Sequence, residues 1–270
     1  MREPTLVLIH GAWAGSWVWD AIRPMLDASG IRVVTPDMPG STAHPAEGDQ
    51  LSLQGCVDHV LQCCADVHGP LFLLGHSGGG VIATQAAEAI SERVSGVIYV
   101  AGMMLPSGLG FAELTAELRR DIPEAAGITP FLEWSAGRDS SRVPLKAARE
   151  LFLQDLPGEA AFLAAAKFGE QPEGTRAMIP SWTEERFGRL ARLYVEALQD
   201  RSVIPAAQRR MQALVPGARV VSLDTGHVPQ ASAPRALADV IFSFIAQQCS
   251  RTDVIHHHTT PVVAGPQDYI

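Results

Sequence analysis

A chain of 270 residues is long enough for one large domain or two small ones, and 47% hydrophobic against 19% charged residues lets it bury a sizeable core. The formal net charge of −8 is spread over interspersed acidic and basic residues, which argues against a nucleic-acid partner and against an anionic membrane surface. No stretch is apolar for long enough to span a bilayer. The opening MREPTLVLIHG has too short an apolar run for a signal peptide. Cys56, Cys63, Cys64 and Cys249 lack metal-ligand spacing and are expected to be reduced, mostly buried thiols of a cytoplasmic protein.

Thr5 to Ile9 is wholly apolar after its threonine, as a strand covered on both faces must be. The loop His10-Gly11-Ala12-Trp13-Ala14-Gly15 follows it, with Trp13, Trp17 and Trp19 expected to be packing residues. Trp19 to Ala28 reads as an amphipathic helix, Ile31 to Thr35 as a strand, and Leu53 to Val67 as a helix with Val57, Val60, Leu61 and Cys64 on one face. Leu71 to Leu74 is another buried strand, and Val81 to Ile90 reads as a helix. Val94 to Val100 is a strand ending at Ala101-Gly102. Strands alternating with helices indicate a parallel α/β sheet covered on both faces.

From Met103 to Arg189 no strand run is visible, and short helices are expected at Phe111 to Arg120, Leu145 to Gln154 and Glu159 to Phe168. An all-helical insert at this point reads as a cap over the strands' C-terminal ends. Leu105, Phe131, Leu132, Trp134, Phe152, Met178 and Trp182 are its candidate pocket or core residues. Leu190 to Leu198 and Ala218 to Leu223 read as strands, with helices at Ala206 to Leu214 and Arg235 to Gln248. The expected division is a core of 1–102 and 190–250, a helical cap of 103–189, and a loose tail of 251–270. His256, His257 and His258 in that tail lack the partners a metal site needs.

The chemistry concentrates at Gly75-His76-Ser77-Gly78-Gly79, set between a buried strand and a helix, which is the context of a nucleophile elbow. A turn this tight strains the serine backbone and needs glycines where other backbone passes close. A serine hydroxyl needs a base within hydrogen-bond reach, and the base needs an orienting acid. In a parallel sheet such a site lies at the C-terminal strand ends. There the chain offers Ser77 as nucleophile, Asp200 as acid and His227 as base, in that order. Asp224 is the rival acid, but it is still at a strand edge; His76 points away from Ser77, and His10 is structural. Backbone N–H groups of Ala12 and Gly78 are the candidate oxyanion donors.

LVLIHGAWAGSWVW, GHSGGG, QDRSVIP and LDTGHVP resemble the α/β-hydrolase superfamily, over about residues 5 to 248. Within it they are similar to the branch of plant methylesterases, hydroxynitrile lyases and bacterial pyrethroid-type carboxylesterases. The segment FLQDLP, Phe152 to Pro157, shares in this likeness. The resemblance implies the same roles for Ser77, Asp200, His227, Ala12 and Gly78. The lyases of this branch carry a threonine where this chain has Gly11, and a lysine where it has Val228, which favours ester hydrolysis here. The expectation is a serine hydrolase cleaving a carboxylic ester of a small, largely apolar substrate through an acyl-enzyme, without cofactor or metal. Alternatives are a lactone-opening or lyase enzyme using the same triad, or a ligand-binding receptor on that scaffold. The apolar cap helices offer a surface for a homodimer.

Overall fold

The computed structural model describes residues 3–257. Its strands are β1 (Thr5–Ile9), β2 (Arg32–Val34), β3 (Leu71–His76), β4 (Val94–Val100), β5 (Glu133–Trp134), β6 (Ser140–Arg142), β7 (Glu170–Pro172), β8 (Arg192–Ala197) and β9 (Arg219–Leu223). Its α-helices are α1 (Arg23–Ala28), α2 (Leu53–Cys63), α3 (Gly79–Ala89), α4 (Phe111–Leu118), α5 (Leu145–Ala147), α6 (Gly158–Ala165), α7 (Pro205–Leu214), α8 (Pro229–Ser232) and α9 (Pro234–His257).

Six parallel strands lie in the order β2-β1-β3-β4-β8-β9. The pleat sends alternate side chains to opposite faces, and in the central strands β1, β3, β4 and β8 both faces are buried. Val7 and Ile9 of β1, Leu71 and Leu73 of β3, and Val97 and Tyr99 of β4 join one core with α2, α3 and α7. Leu6, Leu8, Phe72, Leu74, Ile98 and Val100 join the other with Trp19, Leu26, Leu237 and Phe244. This double burial is why the strands read as unbroken apolar runs. Chain order and sheet order reverse direction at β1, so the loops after β1 and β3 meet over adjacent strand ends.

Four expectations need correction. The segment expected as an unbroken helix from Trp19 divides into a 3₁₀ turn, Ser16–Trp19, and α1, because Pro24 has no amide to donate and instead starts the helix. The insert is not all-helical: β5, β6 and β7 form an antiparallel three-stranded sheet within it. These strands are too short and too polar to show an alternating pattern. The helix expected over Leu145 to Gln154 is α5 followed by a π-helical turn, Ala148–Phe152. The first part of the loose tail expected from 251 is helical, since α9 continues to His257; His258 and the residues after it lie outside the described residues. No helix among the described residues is long and apolar enough to cross a membrane.

Candidate active site

β3 turns into α3 at Ser77, whose φ of 50° is in the left-handed region that non-glycine residues avoid. The surrounding backbone holds it there: Ser77 N–H donates to Val100 O at 3.3 Å, and Ser77 O accepts from Met103 N–H at 2.8 Å and Gly80 N–H at 3.0 Å. The elbow glycines have a steric reason. A Cβ on Gly75 would collide with Gly79 O and Gly80 Cα, and one on Gly79 with Ile9 O and His10 O. Trp13 and Ala101, in the loops after the neighbouring strands, also have positive φ, at 61° and 42°.

Asp200 lies just past β8 and His227 past β9. His227 Nδ1–H donates to Asp200 Oδ2 at 2.7 Å, with both side chains buried. The other carboxylate oxygen accepts from Ser202 N–H at 2.7 Å and Val203 N–H at 2.9 Å, so the acid is fixed from three sides. Asp224 instead accepts from Gln199 Nε2 at 2.7 Å, on the surface. Ser77 and His227, 150 residues apart in the chain, line one cleft with Gly11, Ala12 and Trp13. A wider lobe, about 270 Å³, shares Gly11, Ala12, Trp13 and Ser77 with it and is lined by Gly78, Met38, Ile82 and Met178 together with the charged Glu113, Arg119 and Arg176. Of the insert's candidate pocket residues, Met178 lines the wide lobe and Phe152 the narrow one, whereas Phe131 is 52% exposed. Among the described residues, the amides of Ala12 and Gly78 have no hydrogen-bond partner, and a Cβ on Gly78 would lie 3.9 Å from Ala12 N. A Cβ on Gly11 would lie 2.8 Å from Ser77 Cβ, so a branched residue does not fit there without displacing the serine.

Two further histidines support this arrangement. His10 Nδ1–H donates to Gly11 O at 2.8 Å while Nε2 accepts from Met38 N–H at 3.0 Å. Both nitrogens are satisfied only in the neutral ring, and burial lowers the pKa accordingly. His76 Nε2–H donates to the carbonyl of His227 at 2.8 Å, with the two rings 4.8 Å apart. Burial, with His227 beside it, pushes its pKa down to about 3. Burial raises the Cys56 thiol to about 12 and the Cys64 thiol to about 11, which keeps both protonated near neutral pH.

The insert grips the loops of the site through contacts with no signal in the sequence. Gln171 of β7 accepts Trp13 N–H at 2.9 Å, and Ser141 of β6 accepts the Trp13 indole N–H at 3.2 Å. Asp155 accepts Gly226 N–H at 2.6 Å, and Gln154 Nε2 donates to Gln199 O at 2.8 Å. The last two belong to the FLQDLP segment, whose likeness to relatives was visible but whose role was not. Among the described residues, no group of three or more His, Cys, Asp or Glu is placed to hold a metal ion.

The alpha/beta hydrolase family model matches residues 6–240. A pyrethroid hydrolase of Sphingobium wenxiniae is 34% identical over 251 residues, covering 90% of this chain and 88% of that protein. Esterase PIR7B of Oryza sativa subsp. japonica is 30% identical over 253 residues, covering 87% and 93%. The crystal structure of a pyrethroid hydrolase from Sphingobium faniae JZ-2 superposes with a TM-score of 0.77 at 32% identity, covering 89% of this chain and 96% of that one. A likeness of this extent, joined to a strained serine between strand and helix at the sheet's C-terminal edge, assigns the fold: the chain belongs to the alpha/beta hydrolase family.

Proposed function

We propose that the protein is a serine carboxylesterase that cleaves an ester of a small, largely apolar substrate through an acyl-enzyme. The observation that carries this is the buried 2.7 Å bond between His227 and Asp200, in a cleft that the strained Ser77 also lines. Ser77 Oγ attacks the ester carbonyl and His227 accepts its proton. Asp200 holds the ring with Nδ1 as donor, leaving Nε2 as the base, and stabilises the imidazolium. Ala12 and Gly78 N–H groups bind the oxyanion, helped by the N-terminus of α3. His227 then protonates the leaving alcohol and activates the water that releases the acid. The similar pyrethroid hydrolase and rice esterase support an ester as substrate. The steric block at Gly11 and the uncharged Val228 speak against cyanohydrin cleavage.

A fluorophosphonate probe is expected to label Ser77. Ser77→Ala abolishes the label and lowers kcat for a methyl arylacetate roughly 10⁴- to 10⁶-fold. Wild-type turnover in that variant removes Ser77 as the nucleophile, whereas a wild type that neither labels nor turns over ester leaves a binding protein on the same scaffold.

A further inference from the structure

His76 leaves one ring nitrogen unused beside the site. Its Nε2–H is committed to the carbonyl of His227 at 2.8 Å, so Nδ1 carries a lone pair and can only accept. That lone pair has no partner among the described residues, and His76 is 4% exposed. Its low pKa, about 3, keeps Nδ1 free of a proton near neutral pH. A buried acceptor left unmet is costly, and folded proteins commonly meet it with an ordered water. The local geometry gives such a water room. A Cβ on Gly11 would lie 3.3 Å from His76 Nδ1 and 2.8 Å from Ser77 Cβ, so the ring nitrogen and the nucleophile border the same gap. A cavity of about 10 Å³, the size of one water, is lined by Gly11, His76, Ser77 and His227. Apart from these three polar side chains, the side chains around it are apolar, except the Trp13 indole, which is bound to Ser141. A water there has His76 and the reacting pair as its side-chain partners.

We propose that His76 Nδ1 holds one water in this cavity, and that this is the water consumed when the acyl-enzyme is hydrolysed. The proposal rests on the acyl-enzyme reading above. The water donates one O–H to His76 Nδ1 and the other to His227 Nε2. As its oxygen bonds to the acyl carbon, the second proton passes to His227. The bond from that carbon to Ser77 Oγ then breaks, and His227 returns the proton to Ser77. His76 gains and loses no proton; it is a positioning residue that holds the attacking water in place. Attack of Ser77 on the ester does not consume the water, so acylation does not need His76.

Stopped-flow turnover of p-nitrophenyl acetate reads the two steps separately, and two variants divide the functions of the ring. In His76→Gln the amide reaches the place of Nε2 and keeps an N–H for the carbonyl of His227. In His76→Asn the amide oxygen takes the place of Nδ1 and keeps an acceptor for the water. The Gln variant is expected to form the acyl-enzyme at the wild-type rate and to hydrolyse it about tenfold more slowly, the scale of one lost hydrogen bond, which shows as a burst of nitrophenol. The Asn variant hydrolyses the acyl-enzyme at the wild-type rate even where its melting temperature drops. Unchanged hydrolysis in the Gln variant, an equal fall in both steps, or an Asn variant as slow as Gln overturns the proposal. Should neither variant fold, the wild type answers alone. A high-resolution crystal structure is expected to show a water within hydrogen-bond distance of His76 Nδ1, and a dry site there overturns the proposal equally. Fluorophosphonate labelling separates the levels of failure. A labelled wild type that fails these tests loses only the water site, whereas one that neither labels nor turns over ester loses the esterase reading with it.

Discussion

The Gly11–Ala12 peptide shows how one side chain aims a neighbouring group it does not touch. His10 holds Gly11 O with Nδ1–H and is itself locked by Met38 N–H on Nε2. In a trans peptide the C=O and N–H point in opposite directions, and no cis bond occurs among the described residues, so anchoring that oxygen turns Ala12 N–H away from His10. Under the proposed mechanism, in which Ala12 N–H binds the oxyanion, His10 is a positioning residue for that donor. His10→Leu frees the peptide, and kcat is expected to fall about 10²-fold, the scale of losing one donor, with KM little changed. Steady-state kinetics on a methyl arylacetate would read this; a purely packing role would lower the melting temperature and leave the ratio of the two parameters alone. Ser77 and His227 stand out as candidates at this scale because a strand–turn–helix serine and a glycine-flanked histidine at a strand end are local patterns. The tautomer of His10 was not, because it depends on Met38, 28 positions away.

Short elements of the insert carry the long-range contacts. Asp155, just after the π turn, accepts the amide next to His227, and Gln171 accepts the amide next to Ala12. The insert therefore holds both the loop that carries His227 and the loop that carries Ala12. Removing the acceptor by Asp155→Ala strands a partly buried N–H, at a cost of about 1–3 kcal/mol. The expected outcome is a lower melting temperature together with a lower kcat, and Asp155→Asn, which keeps an oxygen in place, recovers most of both. Thermal melts run beside the kinetics decide it: full activity in the alanine variant would mean that His227 needs no support from the insert. The strands β5 to β7 escaped sequence reading for a related reason. Glu133–Trp134, Ser140–Arg142 and Glu170–Pro172 have no apolar alternation; pairing with one another and bonds to Trp13 hold them.

At the scale of the molecule, neutral buried histidines under the site tie stability to pH. His76 has an ordinary pKa of 6.5 and a folded one of about 3. Between these values the unfolded chain binds a proton that the folded chain refuses, so stability falls as pH drops below 6.5, by at most roughly 1.4 kcal/mol per unit for this ring. Burial shifts His10 in the same direction and adds to the slope. His76→Gln keeps an N–H for the carbonyl of His227 and removes the titration. Its melting temperature is expected to decline less steeply with acid than that of the wild type. Parallel slopes would place the acid sensitivity elsewhere.

The amino-acid sequence by itself determined the parallel sheet, since strands buried on both faces must be continuous apolar runs and the helices between them show their own period. It also determined which side chains are chemically equipped to react, because the elbow needs Gly75 and Gly79 whatever surrounds it. Tertiary structure alone decided that Asp200 rather than Asp224 meets His227, that an antiparallel sheet runs through the insert, and that the two lobes of the cleft differ in size. Each of these depends on distances between segments far apart in the chain, and a local pattern of hydrophobicity or turn residues carries no measure of such distances.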